Sequence, residues 1–308
     1  MSNQKHFSSN KSLMEAAQYQ NKHEPPFKLD LPFDEALGES ELGRATPFLK
    51  WVGGKRSIIE ELKKRVPQGY NDYYEAFIGG GALFFELTPK KAYLSDTNLD
   101  LILTYKVIQK DVDRLIARLK EHQKKHNSAY YYKIRAWHNL DDPIEIAARM
   151  IYLNKTCFNG LWRVNARGEF NVPMGSYVNP HIVREDNLRL CAKALKSVII
   201  EYKDYSKIEP KAGDFCYFDP PYHPATDTSF TKYSKLDFTE KDQVDLMNLS
   251  TELHEKGVHV MISNSNTKFI RDLYKASHFK IGIVNAPRLV NCKSNERSPV
   301  EEVLVTNY

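Results

Sequence analysis

Phe215-Cys216-Tyr217-Phe218-Asp219-Pro220-Pro221-Tyr222 is the stretch from which the rest of the 308-residue chain is read. An apolar, aromatic run of strand length ends at a carboxylate. Two prolines then remove two backbone donors and fix φ, so the sheet stops there. The acid is left at a strand's carboxyl end, where open α/β sheets bind their ligands, and the Pro220-Pro221 turn holds its carbonyls and the Tyr222 ring in one geometry. Taken alone, the stretch also fits a strand that ends in a proline-rich turn capped by Asp219.

The acceptors of this turn suit one kind of substrate. The exocyclic amine of a nucleobase is a poor nucleophile, because its lone pair is delocalised into the ring. Asp219 and the Pro220 carbonyl can each accept one N–H, which favours a pyramidal nitrogen whose localised lone pair attacks an electrophilic methyl in line. Tyr222 would stack on the base. A base from a duplex reaches such a pocket only when flipped out of the helix.

Two glycine stretches lie upstream. In Phe48-Leu49-Lys50-Trp51-Val52-Gly53-Gly54-Lys55 an apolar run meets glycines that let the backbone approach a ligand, and a helix is predicted over Ser57–Arg65. Lys55 at the start of a helix is disfavoured by the helix dipole, so it is expected to face an anion such as a ligand carboxylate, with Trp51 packed on the ligand. Glu75-Ala76-Phe77-Ile78-Gly79-Gly80-Gly81 reads as a strand and a glycine loop, followed by a helix and a second strand closed by Asp96. A glycine loop after one strand and an acid ending the next is how a nucleoside is held. The Gly-x-Gly-x-x-Gly phosphate fingerprint of a dehydrogenase is absent. A further strand ends near Asp204 and Tyr205, again a carboxylate and a ring at a carboxyl end.

Between these halves, residues 110–135 carry eight basic against three acidic side chains in a helical pattern that runs from Leu99 to Arg135. His122 and His126 stand one helical turn apart, but their lysine neighbours predict a solvated basic face, and no metal site is expected. After a helix about Pro143–Asn154, residues 158–177 mix Arg, Asn and aromatics in a connection too long and polar to be plain. Such a mixture suits base edges, phosphates and stacking: Arg163 toward guanine, Asn159 and Asn165 toward base or phosphate, and Phe158 as a wedge. It also fits a hairpin excursion with Trp162 and Phe170 as its own small core. Arg288, Lys293 and Arg297 lie in a late basic loop suited to a phosphate backbone.

The net charge of +5 is uneven: residues 1–45 carry five Lys/Arg against seven Asp/Glu, so −2, which leaves +7 on the body. A basic body suits a polyanionic partner. Cys157, Cys191, Cys216 and Cys292 are scattered without a Cys-x-x-Cys pair, as expected of reduced core thiols in a cytoplasmic protein. No apolar run approaches the ~18 residues of a membrane span.

With these motifs in this order, residues 46–308 resemble the Dam-type DNA adenine N6-methyltransferases. Phe48 to Lys55 is similar to that group's amino-terminal signature, Glu75 to Gly81 to its S-adenosylmethionine loop, and Asp219-Pro220-Pro221-Tyr222 to its catalytic motif. The resemblance implies an α/β, Rossmann-like methyltransferase sheet of seven strands, one antiparallel, with an inserted, mostly helical target-recognition domain. The expected division is a polar tail at 1–45, a catalytic domain at 46–105 and 184–308, and a recognition domain at 106–183. Trp51, Lys55, Phe77, Gly79, Gly81, Asp96, Asp204, Tyr205 and Asp219 are implied to surround S-adenosylmethionine. Arg163 is implied to read guanine and Leu161 and Tyr177 other bases, with Phe158, Asn159, Asn165 and Arg167 beside them.

The expected reaction is methyl transfer to N6 of adenine in double-stranded DNA, with GATC the favoured site. A monomer in the nucleoid is expected, alone or paired with a restriction endonuclease cutting the same site. An RNA or cytosine-N4 methyltransferase uses the same chemistry, and a silent DNA-binding regulator would keep the fold without turnover.

Overall fold

The computed structural model describes residues 43–225, 238–275, 278–286 and 300–308. Most of the expected tail, the basic loop with Arg288, Lys293 and Arg297, and Cys292 lie outside the described residues. Among the described residues no helix is long and apolar enough to cross a membrane.

The strand that ends at Asp219 is the centre of a seven-stranded sheet. Its strands are β1 (Tyr73–Glu75), β2 (Ala92–Asp96), β3 (Ile199–Tyr202), β4 (Phe215–Phe218), β5 (His259–Ser265), β6 (Lys280–Ala286) and β7 (Val300–Thr306). They lie in the order β3-β2-β1-β4-β5-β7-β6, with β1 to β5 parallel and β7 antiparallel to both of its neighbours. This is the seven-stranded α/β sheet with one reversed strand that the resemblance implies.

All four residues of β4 are buried. Phe215 and Tyr217 join a cluster with Tyr73 and Leu94 on one face, while Cys216 and Phe218 join Val260, Ile262, Val303 and Val305 on the other. A parallel strand covered on both faces needs apolar side chains at every position, which is why the run reads as continuous. Truncating Phe218 to alanine would cost about 3–5 kcal/mol.

Helices supply the two covers, giving three layers. They are α1 (Ile59–Lys63), α2 (Ala82–Leu87), α3 (Leu99–Lys125), α4 (Ser128–Arg135), α5 (Pro143–Thr156), α6 (Glu185–Leu195), α7 (Glu240–Glu255) and α8 (Lys268–Lys275). Asn98 caps α3, accepting the Leu101 N–H at 3.1 Å, and α3 packs on α5 and α6 over the first face. Thr239 and Asp242 form a capping box that starts α7, whose Leu246 and Leu253 cover the second face with Ile270 and Tyr274 of α8.

Three details differ from the sequence reading. The helical pattern from Leu99 to Arg135 breaks at His126-Asn127, because the Asn127 side chain accepts the Tyr130 N–H and starts a new helix. β5 runs on through the polar Ser263-Asn264-Ser265, three residues beyond its apolar run, which carries Asn264 into the core. His122 is not on a solvated face but fully buried. Its Nδ1 shares a hydrogen bond of 2.8 Å with Tyr130 OH, its ring stacks on Tyr152 at 5.1 Å, and His126 Nδ1 bonds Tyr152 OH at 2.9 Å. Burial pushes the His122 pKa down to about 4, so the ring is neutral at physiological pH. The lysines around it mark one face of α3, whereas the tyrosines that meet the histidines come from α4 and α5, which local patterning does not reveal. Cys157, Cys191 and Cys216 are free and buried, as expected.

Candidate active site

The chain passes from β1 to β2 on one side and from β4 to β5 on the other, so the loops leaving β1 and β4 part and open a crevice at their carboxyl ends. Asp219 stands at its floor, one residue beyond β4. Lys55, in a one-turn 3-10 helix Lys55–Ile58, is 3% exposed and places its Nζ 2.8 Å from Asp219 Oδ1 and 4.7 Å from the centre of the Tyr222 ring. The same ammonium donates to the Gly53 carbonyl. The anion that Lys55 meets is thus the chain's own Asp219. Burial pushes the Asp219 carboxyl up to about 6, against the pull of Lys55, and the charge of Glu302 adds to the rise.

A buried polar lattice holds the Pro-Pro-Tyr turn. Gln243 Nε2 donates to the Pro221 carbonyl at 3.0 Å, and Asn264 Nδ2 donates to Gln243 Oε1 at 2.9 Å. Asn264 Oδ1 accepts the His223 N–H at 3.1 Å, and Ser265 Oγ donates to the His223 carbonyl at 2.6 Å. Tyr222 OH donates to Glu302 Oε2 of β7 at 2.6 Å. The turn is therefore held at Pro221, Tyr222 and His223 by side chains of three other elements, as a preorganised site requires. Beneath it Glu75 accepts from Tyr73 OH at 2.7 Å, and burial, with the Asp219 charge adding to it, pushes its carboxyl up to about 8.

Along the same edge the glycine loop carries positive φ at Gly79 (+45°) and Gly81 (+66°). A Cβ on Gly79 would stand 2.6 Å from Trp51 Cδ1, and one on Gly81 2.7 Å from Tyr105 OH. Only glycine allows the indole to lie against this loop. Asp96 accepts the Gly79 N–H on Oδ2 at 3.2 Å and the Asn98 N–H on Oδ1 at 2.9 Å, and burial raises its pKa. Phe77 stacks on Tyr205 at 5.2 Å, and Phe238 meets both rings at 5.7 and 5.8 Å. Asp204 is exposed and accepts the Ser206 N–H at 2.9 Å, capping the turn that carries Tyr205.

The residues singled out for reading a target gather elsewhere, after α5. Bridges pair Cys157 with Met174 and Val164 with Phe170, and the Trp162 and Phe170 rings lie 4.8 Å apart. The hairpin excursion with its own aromatic contact is therefore present, and it leaves Phe158, Asn159, Arg163 and Arg167 exposed. Phe158 is 45% exposed, Asn159 has φ +54°, and Leu161 packs partly buried on the core. Arg163 is exposed, its Nε donating to Asn171 Oδ1 at 2.8 Å. Asn165 works inside the turn, its Oδ1 accepting the Arg167 N–H at 2.9 Å and the Glu169 N–H at 3.0 Å. Arg167 is exposed, and the Tyr177 ring lies 4.5 Å from Lys50 Nζ.

The family profile described as D12 class N6 adenine-specific DNA methyltransferase matches residues 51–288. The chain belongs to this family. The methyltransferase is similar to Type II methyltransferase M1.LlaDCHI of Lactococcus lactis subsp. cremoris, 41% identical over 272 residues that cover 85% of this chain and 95% of the relative. Type II methyltransferase M.MjaIII of Methanocaldococcus jannaschii is 42% identical over 287 residues, covering 85% and 99%. The DNA adenine methylase of Escherichia coli K12 is 32% identical over 263 residues, covering 83% and 93%.

Sequence reasoning about the methyltransferase passed over Glu75, Gln243, Asn264, Ser265, Glu302 and Phe238. For three of them a signal was present. Ser263-Asn264-Ser265 is a polar ending on an apolar strand at the ligand edge, and Glu75 is a lone acid in an aromatic strand. Gln243 and Glu302 gave none, because their partners lie 22 and 80 positions away.

Proposed function

We propose that the chain transfers a methyl group from S-adenosylmethionine to N6 of an adenine flipped out of duplex DNA, with GATC the favoured site. The observation that carries this reading is the Asp219-Pro220-Pro221-Tyr222 turn, fixed by Gln243, Asn264 and Glu302 beside the glycine loop. The donor set fits the cofactor. Trp51, Gly79 and Gly81 shape its cradle, Phe77 and Tyr205 with Asp204 offer an aromatic face and an acceptor to its adenine, and Asp96 offers acceptors to its ribose. Lys55 and Asp219 supply opposite charges for its amino-acid end. When bound, its sulfonium supplies an electrophilic methyl.

The chain's own residues do the rest. Asp219 and the Pro220 carbonyl accept the two amine N–H groups, which localises the nitrogen lone pair, and Tyr222 stacks on the flipped base. An acid poised near 6 is ionised at neutral pH yet basic enough to take the proton released on methylation. The exposed Phe158 ring suits a wedge into the vacated stack, and Arg163, with its guanidinium turned by Asn171, suits a guanine edge. Residues 106–183 then serve as the recognition domain, and Arg288, Lys293 and Arg297 as phosphate contacts. The two Type II names among the relatives support a restriction endonuclease of the same specificity as partner to a monomeric enzyme.

The test is incubation with methyl-labelled S-adenosylmethionine and unmethylated plasmid, followed by mapping of N6-methyladenine at base resolution. Marks confined to GATC are expected, with none from Asp219→Ala. Marks at other adenines would keep the chemistry and reject the site, and label on RNA or on cytosine N4 would reject the substrate.

A further inference from the structure

Asn154 has no part in the chemistry above, yet it is fully buried near the end of α5, and every hydrogen bond of its side chain crosses to another segment or closes the recognition turn. Its Oδ1 accepts the Lys50 N–H at 2.8 Å, and its Nδ2 donates to the Lys50 carbonyl at 2.8 Å and the Gly160 carbonyl at 2.9 Å. One amide therefore closes both backbone groups of Lys50 and ties them to a turn inside the long insertion. Lys50 leads directly into Trp51 and the loop that delivers Lys55 to Asp219. Gly160 lies between Phe158-Asn159 and Leu161-Trp162-Arg163.

The two segments are in contact as well as tethered. Asn159 and Gly160 both have left-handed backbone, with φ +54° and +62°, and a Cβ on Gly160 would stand 2.6 Å from Lys50 Cβ. The turn has no room to move toward Lys50, and Asn154 gives it no freedom to move away.

We propose that Asn154 is a positioning residue for site discrimination. It fixes the recognition turn against the segment that carries Trp51 and Lys55, so that misfit at a wrong base pair is transmitted to the Lys55–Asp219 pair. Asn154 itself touches neither donor nor DNA; it acts through Lys50 and Gly160. The inference rests on the function proposed above.

The fold contains its own control. Asn187 of α6 clamps Thr46 in the same manner: Oδ1 accepts from Thr46 N and Thr46 Oγ1, each at 2.9 Å, and Nδ2 donates to the Thr46 carbonyl at 2.9 Å. It holds the same amino-terminal segment four residues earlier, and none of its hydrogen bonds reaches the recognition turn.

The experiment uses the full chain and two duplexes, one with the preferred site and one with a single base pair changed. Asn154→Asp keeps the acceptor for Lys50 and loses both donated bonds, and Asn154→Ser removes the amide. The ratio of kcat/KM between the duplexes does not depend on the fraction of folded enzyme, so partial unfolding leaves it unmoved. We expect that ratio to fall at least fivefold in at least one Asn154 variant, while Asn187→Asp lowers the thermal midpoint and keeps the ratio within twofold of wild type. A smaller fall in both Asn154 variants overturns the proposal, and so does an equal fall in Asn187→Asp. A wild type without site preference on DNA would instead reject the functional reading, and this inference with it.

Discussion

The Lys55 ammonium stands 2.8 Å from Asp219 Oδ1 and 4.7 Å from the Tyr222 ring centre, so one cation supports both the acid and the aromatic face of the turn. With Lys55 3% exposed, neither charge is well solvated. Breaking such a pair leaves an uncompensated charge and costs about 3–5 kcal/mol, more than an exposed pair would. The crevice therefore depends on a residue delivered from the amino-terminal loop, far from β4 in sequence.

Lys55→Met tests that dependence through pH. Wild-type single-turnover rates are expected to fall on the acid side near pH 6, where Asp219 takes up a proton. Lys55 lowers that pKa, so removing it raises the acid limb, by at least one pH unit, and reduces the rate at neutral pH roughly twofold or more through Asp219 ionisation. A limb that stays in place while the rate falls would mean that Lys55 acts only on the donor.

Glu75 gives a stability prediction with a definite sign. Its carboxyl rises from 4.5 in the open chain to about 8 when folded, chiefly by burial. The folded state therefore binds the proton more tightly, and its advantage is full below pH 4.5 and is lost as pH climbs through 8. Glu75→Gln can still accept from Tyr73 OH and carries no charge. Its stability, read from thermal midpoints without ligand, is expected to gain on wild type from pH 5 to pH 8 at roughly 1.4 kcal/mol per unit, reaching a few kcal/mol, and to level off above pH 8. Parallel midpoint curves would show that Glu75 does not titrate in this range.

Much of this architecture is legible because the residues that define it are local. Phe215 to Tyr222 announces a buried strand, its stop and its acid within eight positions. The Gly79 to Gly81 loop and Asp96 follow from strand and turn chemistry in the same way. What stays hidden is what reaches across the chain. Gln243 looks like any polar residue in the first turns of α7, and only the fold brings it under Pro221. His122 reads as one of a basic face because the tyrosines that bury it lie on other helices. Asn154 reads as the tail of an apolar helix, since nothing nearby names Lys50 as its partner.

Gln243→Ala follows from that hidden lattice. It removes the donor to the carbonyl of the exposed Pro221 and leaves Asn264 Nδ2 without its acceptor in the buried interior. Unsatisfied buried groups of this kind cost about 1–3 kcal/mol each, so urea unfolding should show a loss in that range or above. The turn also loses its clamp, so kcat is expected to drop about tenfold with little change in KM for DNA. A matching rise in KM with kcat intact would place Gln243 in substrate binding instead.

Two glycines with the same backbone hand should behave differently. Gly79 has φ +45°, and a Cβ there would stand 2.6 Å from Trp51 Cδ1; Gly168 has φ +79° with nothing within 4 Å. Gly168→Ala then meets only backbone strain, about 1 kcal/mol, and leaves affinity for S-adenosylmethionine unchanged. Gly79→Ala adds a clash that displaces the indole four residues before Lys55, so calorimetric affinity for the same ligand is expected to fall at least tenfold. Equal affinities in the two variants would show that Trp51 can leave the glycine loop without cost, and that the loop, not the indole, shapes the cradle.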